Sequence, residues 1–150
     1  MIESSTAELG IPGLTNVEHI GIAVTDLAVA IELWTQLLGV PPYKQEEVES
    51  EHVMTVFFRC GETKIELLQA TSHESAISKY LERNRPGVHH VAFAVEDIKA
   101  EMARLAAAGY HVLHDEPKAG ADNKWICFLH PKSTTGVLVE LCQDRGSKEE

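Results

Sequence analysis

The chain carries one pattern of apolar and polar positions twice. Residues 17–27 read VEHIGIAVTDL and residues 88–98 read VHHVAFAVEDI. Val17/Val88, His19/His90, Ala23/Ala94, Val24/Val95 and Asp26/Asp97 are identical, and most other positions are close substitutes. Each phrase opens with a short β-branched apolar run of the kind that forms a buried strand. Each ends on an aspartate placed to cap a helix N-terminus. Beyond Asp26, Leu27, Ala30, Ile31, Trp34, Leu37 and Leu38 recur at helical spacing, until Gly39 and Pro41-Pro42 stop the helix. Beyond Asp97, the apolar face is Ile98, Met102, Leu105 and Ala106, and Gly109 is the stop.

The rest of the pattern predicts strands over 53–59, 63–69, 110–114, 124–130 and 136–142. Thr71 and Glu74 have capping-box spacing and predict a helix over 75–84, broken by Arg85-Pro86-Gly87. The acidic run EEVESE at 46–51 reads as a solvated loop. Each half is therefore β-α-β-β-β, and the fold class is α+β. The organisation expected is a loose lead-in over 1–15, a first module with its linker helix over 16–84 and a second module over 85–145, together making one domain. The module ends match as well: KIELLQ at 64–69 stands against LVELCQ at 138–143, with Glu66 and Glu140 in the same slot.

Strand alternation gives the repeat a chemical meaning. His19 shares a face with Gly21 and Ala23, and His90 shares one with Ala92 and Ala94, while Ile20, Ile22, Val24, Val91, Phe93 and Val95 face the other way. A core histidine normally has large apolar neighbours on its own face; these two have small ones, which leaves room above them. Each module supplies one imidazole near its start and one carboxylate near its end. A pseudo-twofold packing of the modules would gather His19, Glu66, His90 and Glu140. Two nitrogens and two carboxylate oxygens suit a divalent ion such as Co²⁺, Mn²⁺, Ni²⁺, Fe²⁺ or Zn²⁺. By the same alternation His89 falls on the opposite face from His90 and reads as a hydrogen-bonded packing residue. His52, His73, His111, His114 and His130 have no repeat partner and read as structural or surface residues, and Trp34 and Trp125 read as core.

Composition narrows the partners. In 150 residues, 44% hydrophobic, there is enough apolar side chain for a packed core. A net charge of −10 argues against general affinity for nucleic acid or an anionic membrane, though not against a local basic pocket. No apolar run approaches a membrane span, and MIESSTAELGIPGLT lacks the basic and apolar regions of a signal peptide. Cys60, Cys127 and Cys142, odd in number and widely spaced, read as the reduced thiols of a cytoplasmic protein. An exposed sheet edge or helix would suit a homodimer.

These residues resemble the vicinal-oxygen-chelate superfamily, which includes glyoxalase I and extradiol dioxygenases, and within it the methylmalonyl-CoA epimerase family. The resemblance runs over about 17–143 and is carried by the two repeat phrases, by GETKIELLQATSHESAI at 61–77 and, most specifically, by HDEPKAGADNKWICFLHPKSTTGVLVEL at 114–141. It implies two tandem βαβββ modules in a curved, half-barrel-like mixed sheet with helices on the outside. It implies a metal-dependent enzyme of propionate metabolism that interconverts (R)- and (S)-methylmalonyl-CoA by α-proton abstraction through a metal-stabilised enolate. The ligands carried over are His19, Glu66, His90 and Glu140, holding one divalent ion per chain, Co²⁺ first among them. The second slot is glutamine in some members; Glu66 adds a negative charge there.

The resemblance also makes Glu140 one of the two groups that handle the proton. Some epimerases carry a second catalytic glutamate on the third strand of the first module. Counting back from Gly61 without a gap puts Thr55 in that slot, which is no general base at neutral pH. Glu51, four residues earlier on the same face, is the substitute, and a bound water is the other. Lys118, Lys124 and Lys132 lie in or beside the most specific segment and are expected to meet the phosphates of a CoA thioester. Two other readings stand beside this one. A glyoxalase I-type lyase acting on hemithioacetals would use the same four ligands, and a metal-free binding protein of the same fold would need none of them.

Overall fold

The computed structural model describes residues 13–146. Most of the lead-in expected over 1–15 lies outside the described residues. The elements are β1 (Asn16–Ala23), α1 (Leu27–Leu38), β2 (Lys44–Val48), β3 (Val53–Cys60), β4 (Thr63–Ala70), α2 (Ala76–Arg83), β5 (Gly87–Ala94), α3 (Ile98–Ala107), β6 (Lys118–Gly120), β7 (Lys124–Leu129) and β8 (Val139–Asp144). Short 3₁₀ turns occupy Glu49–Glu51 and Pro131–Thr134. The eight strands form one mixed sheet in the order β2-β3-β4-β1-β5-β8-β7-β6. Reading outward from the centre, each half repeats the same sequence of strands. β1 and β5 meet antiparallel at the middle, and each pairs on its other side, in parallel, with the last strand of its own half.

The sheet curls until its edges touch through side chains. Tyr43 Oη and Lys44 Nζ each reach Asp122 at 3.1 Å, the Asp122 N–H donates to Glu46 Oε1 at 3.0 Å, and Lys118 Nζ meets Glu51 Oε2 at 3.1 Å. The result is nearly a closed barrel with a concave interior. Among the described residues, no helix is long and apolar enough to cross a membrane.

The two aspartate caps and the Gly39 stop read from the sequence form as expected. Asp26 accepts the Val29 N–H and Asp97 accepts the Ala100 N–H, and Gly39 closes α1 in the left-handed region at φ 77°. The matched glutamines tie each helix to its sheet: Gln69 Oε1 accepts the Leu27 N–H at 2.6 Å and Gln143 Oε1 accepts the Ile98 N–H at 2.8 Å. On the convex side, Ile22, Leu27, Ala30, Phe58 and Leu67 pack with Trp34 under α1. Ile98, Met102, Leu105, Leu129 and Leu141 pack with Trp125 under α3. Helix α2 lies elsewhere: its Ile77 packs on Ala23, Val53 and Leu68, at the mouth of the concave side.

Four local expectations are corrected. EEVESE is no free loop: Lys44–Val48 forms an edge strand paired with β3, and an edge tolerates its charges because one face stays in water. The cap of α2 is Ser75, whose hydroxyl accepts the Ile77 N–H; the Thr71–Glu74 stretch closes instead as a turn, with Ser72 Oγ taking the Glu74 N–H at 2.9 Å. Residues 110–114 make a single bridge, Val112 to Leu129, because the outer edge of β7 is shared with β6. The last strand begins at Val139 because Thr135 and Gly136 turn through positive φ (57° and 98°).

Candidate metal centre

His19, His90, Glu66 and Glu140 stand on the four neighbouring central strands β1, β5, β4 and β8, and all are buried on the concave side. His19 Nε2 and His90 Nε2 lie 3.1 Å apart, and Glu140 Oε1 lies 3.4 Å from the first and 3.0 Å from the second. Three lone-pair atoms therefore aim at one point. An ion held at about 2.1 Å by such donors separates them by about 3.0 Å in octahedral and about 3.4 Å in tetrahedral geometry. The donor set fits a divalent ion on these distances. Glu66 is placed differently: its Oε2 lies 3.1 Å from His19 Nδ1, on the other side of the imidazole.

The small residues beside the histidines have a direct reason. His90 is paired across the strands with Gly21, and His19 with Ala92. A Cβ on Gly21 would sit 2.2 Å from Cε1 of His90, so the ring occupies the space a side chain would need.

His89 does not turn away from the site, and neither does Glu18. The β1–β5 pairing slips by one residue twice: between Val17 and His19 on β1, and between His90 and Val88 on β5. Each slip is a β-bulge whose extra residue is the one preceding the histidine. The bulge breaks the alternation and brings Glu18 and His89 to the histidine side. Glu18 Oε1 lies 2.5 Å from His19 Nδ1, and His89 Nδ1 lies 3.0 Å from His90 Nδ1. Glu18, His89 and Cys142, whose thiol donates to Glu140 Oε2 at 3.3 Å, are the residues sequence reading missed. The available signal was that a polar residue precedes the histidine in both halves of the repeat.

Burial sets the electrostatics. It pushes Glu66 up to about 8 against the pull of His19, with Glu140 adding repulsion. Glu18 and Glu140 move the other way. Burial would raise both, but His19 and Lys64 outweigh it at Glu18 and hold that carboxyl at about 2. His19 and His90 outweigh it at Glu140 and hold it well below the usual carboxylate range. Burial opposes charge on His19, yet Glu66 and its other partners raise it well above its ordinary value. Burial and then His90 lower His89 to about 4.

The four central residues open on a cleft walled by Val53, Thr55, Leu68, Ile126 and Phe128 and by the first turn of α2. Glu51 stands at its rim, held by Lys118, and Thr55 is fully buried within it. Of the three lysines, only Lys118 stands at this mouth. Lys124 Nζ is committed to Asp144 at 2.5 Å and to Glu18 at 3.4 Å, with its side chain 12% exposed, so it offers no free charge to a phosphate. Lys132 is exposed in the turn after β7.

Known proteins match along nearly the whole chain. A family profile described as the Glyoxalase/Bleomycin resistance protein/Dioxygenase superfamily matches residues 18–128. The ethylmalonyl-CoA/methylmalonyl-CoA epimerase of Cereibacter sphaeroides is 42% identical over 127 residues, which is 83% of this chain and 95% of that protein. The solved structure of a variant of the Streptomyces coelicolor methylmalonyl-CoA epimerase, in complex with 2-nitronate-propionyl-CoA, is 35% identical with a TM-score of 0.86, covering 92% of this chain and 100% of that one. A methylmalonyl-CoA epimerase in complex with methylmalonyl-CoA and NH₄⁺ is 36% identical with a TM-score of 0.84, covering 88% and 96%.

Proposed function

Because the chain belongs to the Glyoxalase/Bleomycin resistance protein/Dioxygenase superfamily and, within it, to the methylmalonyl-CoA epimerases, we propose that it interconverts (R)- and (S)-methylmalonyl-CoA by removing and returning the α-proton. The observation that carries this reading is the convergence of His19 Nε2, His90 Nε2 and Glu140 Oε1 at the floor of the cleft.

The substrate's reacting C–H lies between a carboxylate and a thioester carbonyl. His19, His90 and Glu140 would hold a divalent ion, Co²⁺ first, with Glu66 beside them; when bound, it supplies Lewis-acid stabilisation of the negative charge that develops on substrate oxygen. Glu140 keeps Oε2 for the proton, and the Cys142 thiol fixes that oxygen. Inversion needs a second group on the opposite face of the carbon. We assign this to Glu51 at the rim, since the Thr55 hydroxyl holds its proton at neutral pH. The walls, Val53, Leu68, Ile126 and Phe128, exclude water and strengthen every charge interaction in the cleft. Lys118, paired with Glu51 but partly exposed at the mouth, and Lys132, in its exposed turn, are the lysines we assign to the CoA phosphates.

The reading is tested by adding purified protein, stripped with chelator and reloaded with Co²⁺, to a single epimer of methylmalonyl-CoA and following circular dichroism at the thioester band. Change to the signal of the equilibrated epimer mixture only in the reloaded sample is the expected result. An unchanged signal from fully loaded protein refutes the assignment and turns attention to hemithioacetals.

A further inference from the structure

The two bulges of the central strand pair are related by the same pseudo-twofold that relates the metal histidines, yet they present different chemistry. Glu18 stands behind His19, and His89 stands behind His90. A strand without the bulge would send Glu18 to the apolar convex face. The interruption of the ladder is retained where it re-aims a side chain.

We propose that Glu18 and His89 are positioning residues of the metal centre, a clamped carboxylate fixing His19 and an imidazole fixing His90, so that the two histidines hold a divalent cation unequally, His19 the more tightly. The proposal rests on the metal-binding reading of the site. Three observations support it. Glu18 is 6% exposed, and its second oxygen is held by Lys64 from β4 and by Lys124 from β7, the latter at 3.4 Å. Lys124 is itself anchored on Asp144. Glu18 is therefore tied to both halves of the sheet and cannot swing away from His19.

The hydrogen bond follows from the nitrogens. An imidazole that ligates through Nε2 carries its hydrogen on Nδ1, and a carboxylate accepting that hydrogen orients the ring and makes Nε2 a stronger donor. Glu18, at 2.5 Å, is nearer to Nδ1 than Glu66 at 3.1 Å. On the other side, His90 Nδ1 donates to His89 Nδ1, which leaves the His89 hydrogen on Nε2. The Tyr80 ring, edge-on at 4.9 Å, fixes His89 in that pose. An imidazole acceptor orients His90 but brings no negative charge to it.

The test is calorimetric titration of the chelator-stripped full chain with Co²⁺, comparing wild type with Glu18→Ala, Glu18→Gln and His89→Ala. Glu18→Ala is expected to weaken Co²⁺ about 10- to 100-fold and His89→Ala by less, as loss of such a partner does. Glu18→Gln keeps an acceptor without the charge and is expected to fall between wild type and Glu18→Ala. It also carries the test if the alanine variant, with Lys64 and Lys124 left unpaired, fails to fold. Long-range ¹H–¹⁵N spectra of the Zn²⁺-loaded protein supply a readout that a merely structural role would not move. The His19 Nδ1–H proton, held by the Glu18 carboxylate, is expected far downfield in wild type and is expected to move upfield in both Glu18 variants at full Zn²⁺ loading. Wild-type affinity in both Glu18 variants, or a larger loss in His89→Ala than in Glu18→Ala, overturns the proposal. A wild-type protein that binds neither ion overturns the metal-binding reading itself.

Discussion

Gly21 faces His90 across the central strand pair with no space for a side chain. In Gly21→Ala the new Cβ would lie 2.2 Å from Cε1 of His90 and 2.6 Å from each ring nitrogen. Ordinary carbon contacts begin at about 3.5 Å, so ring or backbone must move by more than about 1 Å. The ring has little room to do so, because His89, His19 and Phe128 surround it with centroids at 5.3, 5.1 and 5.7 Å. Overpacking of this kind costs about 1–3 kcal/mol, which in a domain of this size lowers the melting temperature by roughly 3–10 °C. The same displacement carries His90 Nε2 out of its 3.0 Å relation with Glu140. A misplacement near 1 Å reduces turnover by about 10²-fold. Thermal unfolding of the stripped protein, Co²⁺ titration and epimerisation rate check the three parts together. A Gly21→Ala protein with wild-type Co²⁺ affinity and rate would refute the reasoning, because His90 would then not need the place the glycine leaves open.

Other outcomes follow from the same geometry. His90→Ala is expected to abolish Co²⁺ binding and turnover, measured by calorimetry and by the epimerisation assay. Glu51→Gln is expected to lower the inversion rate by about 10²–10⁴-fold while α-proton exchange persists from the epimer that Glu140 serves; measuring exchange and inversion on each epimer separately checks this. The stripped protein should lose stability as pH rises from about 4.5 to about 8. Folded Glu66 titrates near 8 rather than at its ordinary 4.5, so over that window the folded state binds the extra proton. Glu66→Gln should flatten that slope in a melting series. Glu18 acts with the opposite sign: its carboxyl, lowered from 4.5 to about 2, contributes stability that is lost as pH falls through that range, and Glu18→Gln should lose the acid-side decline.

Where side-chain period and cap chemistry agree, the chain could be read directly. Asp26 and Asp97 stand before helices α1 and α3, Gly39 ends the first, and the alternation of small and bulky residues on β1 and β5 separates a concave from a convex face. Internal repetition did the rest, aligning His19 with His90 and Glu66 with Glu140, which the sheet carries on four adjacent strands. What alternation hides is any departure from it. One extra residue at each of two bulges moves Glu18 and His89 to the other face, and a period-two reading has no sign of that. Edge pairing is hidden for a related reason: Lys44–Val48 becomes a strand because β3 offers an unpaired edge, while its own charges read as loop. Lys124 reads as a candidate phosphate contact until the curl of the sheet brings it onto Glu18.

The central claim is metal-dependent removal of the substrate's α-proton. The most direct measurement is proton NMR of methylmalonyl-CoA in D₂O with chelator-stripped protein, before and after Co²⁺ is added. The account predicts that the α-proton signal persists in the stripped sample and disappears once the ion is present. An α-proton that survives in fully loaded protein, or that exchanges equally well without the ion, would contradict it.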